Sequence, residues 1–176
     1  MALEEALARL LDGVAPVTEV ESVATEAAAG RVLARDLVSA LDVPGFDNSQ
    51  MDGYAVRSAD VAAAVAAGRP LPVAQRIAAG HFGAALQPGT VARIFTGAPL
   101  PAGADAVIMQ EEATAADAPA SADAGQGEFG WVRFSAVPAS GQWVRRRGED
   151  VRAGAVVVPA GTRLAAAHLG LAASIG

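Results

Sequence analysis

From Tyr54 onward, the apolar stretches of this chain are short, and glycine or proline separates each of them from the next. In the segment 131–137, "WVRFSAV", the residues Val132, Phe134 and Ala136 recur at every second position. A period of two places alternate side chains on opposite faces of a strand. Short strands separated by repeated turn signals predict a mainly β fold that is largely antiparallel.

A few segments outside this pattern have the composition of short helices. The segment 3–14, "LEEALARLLDGV", has leucines at helical spacing and predicts an amphipathic helix that Gly13 and Pro16 terminate. The segments 59–68 and 164–176 are rich in alanine and predict a helical turn and a helix. The fold class is therefore mainly β with short flanking helices. The segment 31–39, "RVLARDLVS", is interpreted as a further strand.

Charge and composition exclude several classes of protein. The net charge is −6, and the only basic cluster is "RRR" at 145–147, so we expect no nucleic-acid partner. The absence of cysteine excludes disulfides, zinc thiolates and thiol catalysis. No apolar run approaches the roughly 20 residues that span a bilayer, and the start "MALEEALARLL" lacks the positive charge of a signal peptide. We expect a cytoplasmic protein with no membrane partner.

The first loop, 42–57, "DVPGFDNSQMDGYAVR", concentrates turn formers and carboxylates. Asp47 and its neighbours Asn48 and Ser49 can bond to nearby amides and hold the loop. Asp52 directly precedes Gly53 at the entrance of a predicted strand, where its side chain can point outward. Both acids could be turn formers only, and the residues of this loop alone leave the role of Asp52 open.

The second loop, 95–107, "FTGAPLPAGADAV", follows a strand that we expect to end at Thr96. The Thr96 hydroxyl and the Gly97 amide can offer hydrogen bonds to an anion, although a purely structural loop also explains them. Further on, "VIMQEE" closes a predicted strand, where Glu111 either lines a cleft or faces water. The segment 111–130 has few large apolar residues and predicts a hairpin tip or a loop.

The third loop, 145–151, "RRRGEDV", places Glu149 and Asp150 in a turn between two strands. Carboxylates on loops suit Mg²⁺, which takes oxygen ligands, and the arginines could instead bind a phosphate directly. A solvated charged turn is the third interpretation. His81 and His168 lack the neighbours of a catalytic triad or a zinc site and are interpreted as surface or packing residues.

These three loops, in this order, resemble the MoeA family of molybdopterin molybdenumtransferases, and the resemblance extends from about Leu3 to Gly176. It implies an enzyme that inserts molybdate into adenylylated molybdopterin and releases AMP, with Mg²⁺ and as a homodimer. It also implies that Asp52, Thr96 and Asp150 are catalytic, and that Asp52 and Asp150 bind the metal. The residues expected to contact the substrate are Ser49, Gly97, Glu111 and Arg147.

The resemblance also implies an interrupted domain organisation built of two β-rich subdomains. Residues 1–18 form a helix that packs on a pterin-binding domain, residues 19–41 and 151–176 form a small discontinuous domain, and residues 42–150 form the β-rich middle domain. Nothing in this chain resembles the glycine- and serine-rich pterin loop of the family. We therefore expect the chain to hold one wall of the active site and to be inactive alone. The alternative is a non-catalytic scaffold or dimerisation module of the same fold.

Overall fold

The structure is a computed structural model that describes residues 2–122 and 125–176. Its three α-helices are α1 (Leu3–Asp12), α2 (Ser58–Ala66) and α3 (Ala166–Ser174). Its ten strands are β1 (Leu37–Val38), β2 (Asn48–Ser49), β3 (Gly53–Val56), β4 (Leu71–Ile77), β5 (Val91–Ile94), β6 (Ala106–Met109), β7 (Ala113–Ala116), β8 (Trp131–Phe134), β9 (Val144–Arg145) and β10 (Val156–Val158). The prediction of a mainly β fold with short helices is confirmed.

The chain divides into two compact units. The larger unit comprises Val38–Ala155 and Ser174–Gly176. It contains a six-stranded sheet in the order β6-β3-β5-β4-β8-β7, in which only β4 and β5 run parallel. Since β3 is antiparallel to both β5 and β6, the start of β3 lies beside the ends of these two neighbours: Gly53 faces Ile94 on one side and Met109 on the other.

The core of the larger unit lies on the two faces of this sheet. On one face, Val61 and Ala64 of α2 pack with strand residues such as Leu71, Val132 and Phe134. A second cluster contains Ile77, Ile94 and Val107 and packs with residues outside the sheet. Burial of these branched side chains removes apolar surface from water, which is the main driving force for folding.

The smaller unit comprises Met1–Leu37 and Val156–Ala173. Its backbone ladder includes hydrogen bonds from the Leu33 amide to the Thr162 carbonyl (2.9 Å) and from the Gly161 amide to the Leu33 carbonyl (2.7 Å). Helix α1 confirms the predicted amphipathic helix, and its leucines are exposed to solvent.

Two elements differ from their predicted extent. Within 31–39, only Leu37–Val38 is a strand, with Val32 in an isolated bridge to Arg163, because irregular backbone interrupts the pairing between them. Within 111–130, residues 113–116 form β7, which pairs with β8, so the loop begins only at Asp117. Asp123 and Ala124 of that predicted loop lie outside the described residues.

The two histidines occupy surface or packing positions, as predicted. His81 is exposed, and its ring Nδ1 lies 3.2 Å from the Ala79 carbonyl oxygen. The Nδ1 atom of His168 accepts a hydrogen bond from the Ala165 amide (2.9 Å) at the start of α3, where backbone donors lack helical partners. No helix in the described parts of the chain has the length and the apolar character needed to cross a bilayer.

Candidate functional site

Strand β2 joins the three loops that the sequence singles out. On one edge, the Ser49 amide donates to the Ala98 carbonyl (3.0 Å), and the Gly97 amide donates to the Ser49 carbonyl (2.8 Å). On the other edge, β2 pairs with β9, so that Asn48 faces Arg145. Backbone hydrogen bonds therefore hold the first loop between the second and the third.

Asp52 and Thr96 form the best-defined contact among the predicted site residues. Asp52 directly precedes β3 and Thr96 lies two residues beyond β5, so the antiparallel register brings them to the same edge of the sheet. The Thr96 amide and the Thr96 hydroxyl both donate to Oδ1 of Asp52, each at 2.8 Å. The prediction that the preceding strand ends at Thr96 is wrong by two residues, because β5 ends at Ile94 and the chain turns through Thr96 to bind Asp52.

These contacts set the charge of Asp52. The hydrogen bond from the Thr96 amide, then that from its hydroxyl, lower the pKa of Asp52 below the ordinary value of 3.8, and the positive charge of Arg93 lowers it further. A carboxylate of low pKa is ionised at neutral pH and is a weak base. It is therefore suited to binding a cation or orienting a donor rather than to removing a proton.

The third loop is a network of aspartate–arginine pairs. Arg145 bonds to Asp150, Arg146 donates to Oδ2 of Asp47 (2.7 Å), and Arg147 donates to Oδ2 of Asp42 (2.6 Å). The pairing with Asp150 raises the pKa of Arg145. Each arginine of "RRR" thus has an acidic partner, which favours loop organisation over a bare phosphate-binding cluster.

Asp42 and Asp47 connect the first loop to the third. The Arg147 amide donates to Oδ1 of Asp47 (2.8 Å), and the Ala153 amide donates to Oδ1 of Asp42 (2.8 Å). Asp47 therefore holds two loops together and does not only fix its own turn. The sequence pattern assigns no role to Asp42. The first loop has three aspartates and the third loop has three arginines, and this complementary charge could have predicted ion pairs between the two loops.

We expect the Asp47→Asn substitution to lower the free energy of unfolding by about 1 kcal/mol at pH 7, since the lost bonds to a charged group are partly screened by solvent. The Arg147 amide and then Arg146 lower the pKa of Asp47 in the folded protein. This stabilisation is complete above the ordinary value of 3.8 and disappears as the pH falls through the lower folded-state pKa. The difference between wild type and variant should therefore shrink below about pH 4.

Urea unfolding at pH 7, 5 and 3 measures this difference. Asp117→Asn is the matched control, because the Asp117 side chain is exposed and takes part in no hydrogen bond within 2–122 and 125–176. The control should match wild type at each pH. If the difference in free energy of unfolding between wild type and Asp47→Asn stays constant down to pH 3, the charge of Asp47 does not contribute to stability.

The predicted substrate-contact residues fall into two groups. The Ser49 hydroxyl is buried and donates to the Met51 carbonyl (2.6 Å). The Gly97 amide donates to the Ser49 carbonyl and is therefore not the free donor to an anion that the sequence suggests. Glu111 and Arg147 are exposed. Glu111 lies in a 3₁₀ turn directly after β6 and accepts a hydrogen bond from the Gln110 side chain (3.1 Å).

Asp52 and Asp150 lie in separate bonding clusters, and the described residues contain no group of three or more potential metal ligands. Asp52 uses Oδ1 for both bonds from Thr96, and Asp150 uses Oδ2 for Arg145. The second oxygen of each carboxylate has no hydrogen-bond partner within the described ranges. Mg²⁺ is commonly bound by one or two carboxylates together with water and substrate phosphates, and each of these acids has one carboxylate oxygen of the type that Mg²⁺ takes.

The comparisons with known proteins agree on one family. The family model "MoeA N-terminal region (domain I and II)" matches residues 1–176. A molybdopterin molybdenumtransferase of Haemophilus influenzae is 38% identical over 177 residues, which cover 100% of this chain and 40% of that protein. The molybdopterin molybdenumtransferase 2 of Mycobacterium tuberculosis is 44% identical over 151 residues, which cover 85% of this chain and 34% of that protein.

A solved structure supports the same conclusion. The molybdopterin biosynthesis moeA protein of Pyrococcus horikoshii OT3 matches with a TM-score of 0.82 and 32% sequence identity, over 98% of this chain and 43% of that chain. The chain thus spans less than half the length of each of these relatives. The predicted fold class and the resemblance are both confirmed: the chain belongs to the family of the MoeA N-terminal region, domains I and II.

Proposed function

We propose that this chain is the N-terminal part of an enzyme that inserts molybdate into adenylylated molybdopterin and releases AMP. In this proposal Asp52, Thr96 and Asp150 contribute one wall of the active site. The observation that carries the proposal is the pair of 2.8 Å hydrogen bonds between Thr96 and Asp52, two residues that the motifs assign to one site although 44 positions separate them. The names of the relatives from Haemophilus influenzae and Mycobacterium tuberculosis support the reaction.

The chemistry of the site is consistent with cleavage of a phosphoanhydride. Such a reaction requires neutralisation of charge and accurate positioning more than a strong base. Asp52, ionised and oriented by Thr96, can hold a cation beside the phosphates, and Asp150 is proposed as the second ligand. Bound Mg²⁺ supplies the charge neutralisation at the phosphate oxygens. Arg147 and Glu111 are proposed to contact the substrate, and Ser49 and Gly97 to shape the loop beside it.

We expect Asp52→Asn and Asp150→Asn each to reduce AMP release about 100-fold in the full-length enzyme, because each removes a carboxylate proposed to hold the cation that neutralises the reacting phosphates. The measurement is AMP release from adenylylated molybdopterin in the presence of molybdate and Mg²⁺. Asp117→Asn again serves as the matched control and should keep wild-type activity. Folded Asp52→Asn and Asp150→Asn enzymes with unchanged AMP release would remove both residues from the mechanism.

The same assay separates an enzyme from a scaffold. In the proposal, the remaining wall of the active site comes from a pterin-binding domain, so the 176-residue chain alone should release no AMP. Turnover by this chain alone would contradict a shared site. A folded full-length protein that releases no AMP would instead favour a non-catalytic scaffold or dimerisation module. A cytoplasmic location and a homodimeric assembly belong to the proposal and rest on the family resemblance.

A further inference from the structure

We infer that Arg93 is a positioning residue for Asp52: its guanidinium holds the Gly53 carbonyl and the Gln110 side chain in one closed ring of hydrogen bonds that also includes the Asp52 carbonyl. The inference assigns no contact with substrate to Arg93. It deepens the proposed function, because it concerns how the carboxylate of Asp52 is kept in place. All of the hydrogen bonds in the ring join residues of this chain.

The ring of hydrogen bonds passes through the carbonyl groups of Asp52 and Gly53. One nitrogen of the Arg93 guanidinium, Nη1, donates to the Gly53 carbonyl at 2.8 Å. The other, Nη2, donates to Oε1 of Gln110. The Gln110 amide in turn donates to the Asp52 carbonyl at 3.0 Å. Arg93 therefore connects the start of β3 to the turn after β6, and the Asp52 backbone lies within this connection.

Arg93 is itself held in place by its position in the sheet and by aromatic rings. It lies opposite Tyr54 on β3 and beside Arg76 on β4. Its guanidinium carbon lies 4.7 Å from the ring centroid of Phe95 and 5.3 Å from that of Tyr54. Cation–π contacts at such distances stabilise a guanidinium without neutralising its charge.

Arg93 has no carboxylate partner within the described residues. Its hydrogen bonds run to neutral oxygens, and its positive charge helps to lower the pKa of Asp52, after the two bonds from Thr96. The planar guanidinium is needed because its two nitrogens bond in parallel to two different elements, β3 and the turn after β6. Met, which has a similar length and no charge, can fill the same space but can make neither bond.

The chain provides a matched control in Arg76. The Arg76 guanidinium carbon lies 4.8 Å from the same Phe95 ring, and Arg76 is beside Arg93 in the parallel register of β4 and β5. Arg76 makes no hydrogen bond to the Asp52 region within the part of the chain that the structure describes. Arg76→Met thus removes one positive charge and one cation–π contact from the same face and leaves the ring of hydrogen bonds intact.

The test is nuclear magnetic resonance of the 176-residue chain, which reads the pKa of the Asp52 carboxyl and the hydrogen exchange of the Thr96 and Gln110 amides. The Thr96 amide reports on the Asp52 carboxylate directly, because it donates to that group. In Arg93→Met we expect the pKa of Asp52 to rise and the protection of both amides to fall about tenfold, which corresponds to loss of one or two net hydrogen bonds. In Arg76→Met we expect amide protection equal to wild type.

Unchanged protection of the Thr96 and Gln110 amides in Arg93→Met would overturn the inference, even if the pKa of Asp52 rises, because that rise alone would show only a remote charge effect. An equal loss of protection in Arg76→Met would overturn it as well. If Arg93→Met does not fold, Gln110→Met opens the ring at an exposed residue. Reduced protection of the Thr96 amide in Gln110→Met then supports the inference, and wild-type protection overturns it.

These readouts need no catalytic activity, so they separate this inference from the proposed function. Loss of amide protection in Arg93→Met together with full activity of Asp52→Asn would retain Arg93 as the residue that positions Asp52 and would refute the catalytic role of Asp52. Unchanged amide protection in Arg93→Met together with loss of activity in Asp52→Asn would retain the catalytic role of Asp52 and refute its positioning by Arg93.

Discussion

Replacement of Gly53 with alanine is expected to lower the free energy of unfolding by about 3 kcal/mol or more, because the new methyl group has no space. A Cβ at Gly53 would lie 1.9 Å from the Ile108 carbonyl oxygen and 3.1 Å from the Met109 Cα. Both atoms belong to the backbone of β6, the neighbouring strand, so no side chain can rotate away. Urea unfolding at neutral pH measures the change.

Gly170→Ala is the matched control for this substitution. Gly170 lies in α3, and no heavy atom lies within 4 Å of a Cβ built there. Because alanine is the better helix former, this variant should be more stable than wild type by about 0.5–1 kcal/mol. A Gly53→Ala variant as stable as wild type would show that β3 and β6 are not paired as closely as the structure has them.

Replacement of Leu71 with alanine is expected to lower the free energy of unfolding by about 3 kcal/mol. Leu71 is 0% exposed and lies opposite Val132 in the pairing of β4 with β8, where the core cluster also includes Val61 of α2. The substitution removes buried methyl groups and leaves a cavity that the β4–β8 pair cannot close. The same urea unfolding measurement applies.

Leu10→Ala makes the same chemical change at an exposed position. Leu10 of α1 is 72% exposed, so its truncation should change the free energy of unfolding by less than about 0.5 kcal/mol. The two leucine variants therefore separate burial from side-chain type. If Leu10→Ala lowers the free energy of unfolding as much as Leu71→Ala does, the leucines of α1 are buried against other protein groups in solution.

The local pattern of the sequence was sufficient to predict strands whose two faces have different surroundings. In "WVRFSAV", Val132 and Phe134 are buried and Arg133 is exposed, because one face of β8 packs on the core. The helices α1 and α3 have no buried residue and were predicted for a different reason: their composition and spacing favour helix without help from distant residues.

The predictions failed where tertiary pairing outweighs local preference. The segment 31–39 has the composition of a strand but forms only the short β1, because a strand extends only as far as a partner accepts its hydrogen bonds. The residues 113–116 are small and lie in a segment that the sequence predicts as a hairpin tip or a loop, yet they form β7 because β8 offers a paired edge. For this reason, the local propensity of a segment is a weak predictor of where strands form in a sheet.

The sequence by itself determined the chemical inventory of the candidate site: the carboxylate of Asp52, the hydroxyl of Thr96, and a third loop that carries three arginines and two acids. Only the tertiary structure decided which groups meet. The antiparallel register of β3 with β5 and β6 brings Asp52 together with Arg93 and Thr96, which lie far from it in the chain. The physical reason is that a hydrogen bond depends on distance and direction in space, and the strand register that sets them is a property of the whole sheet.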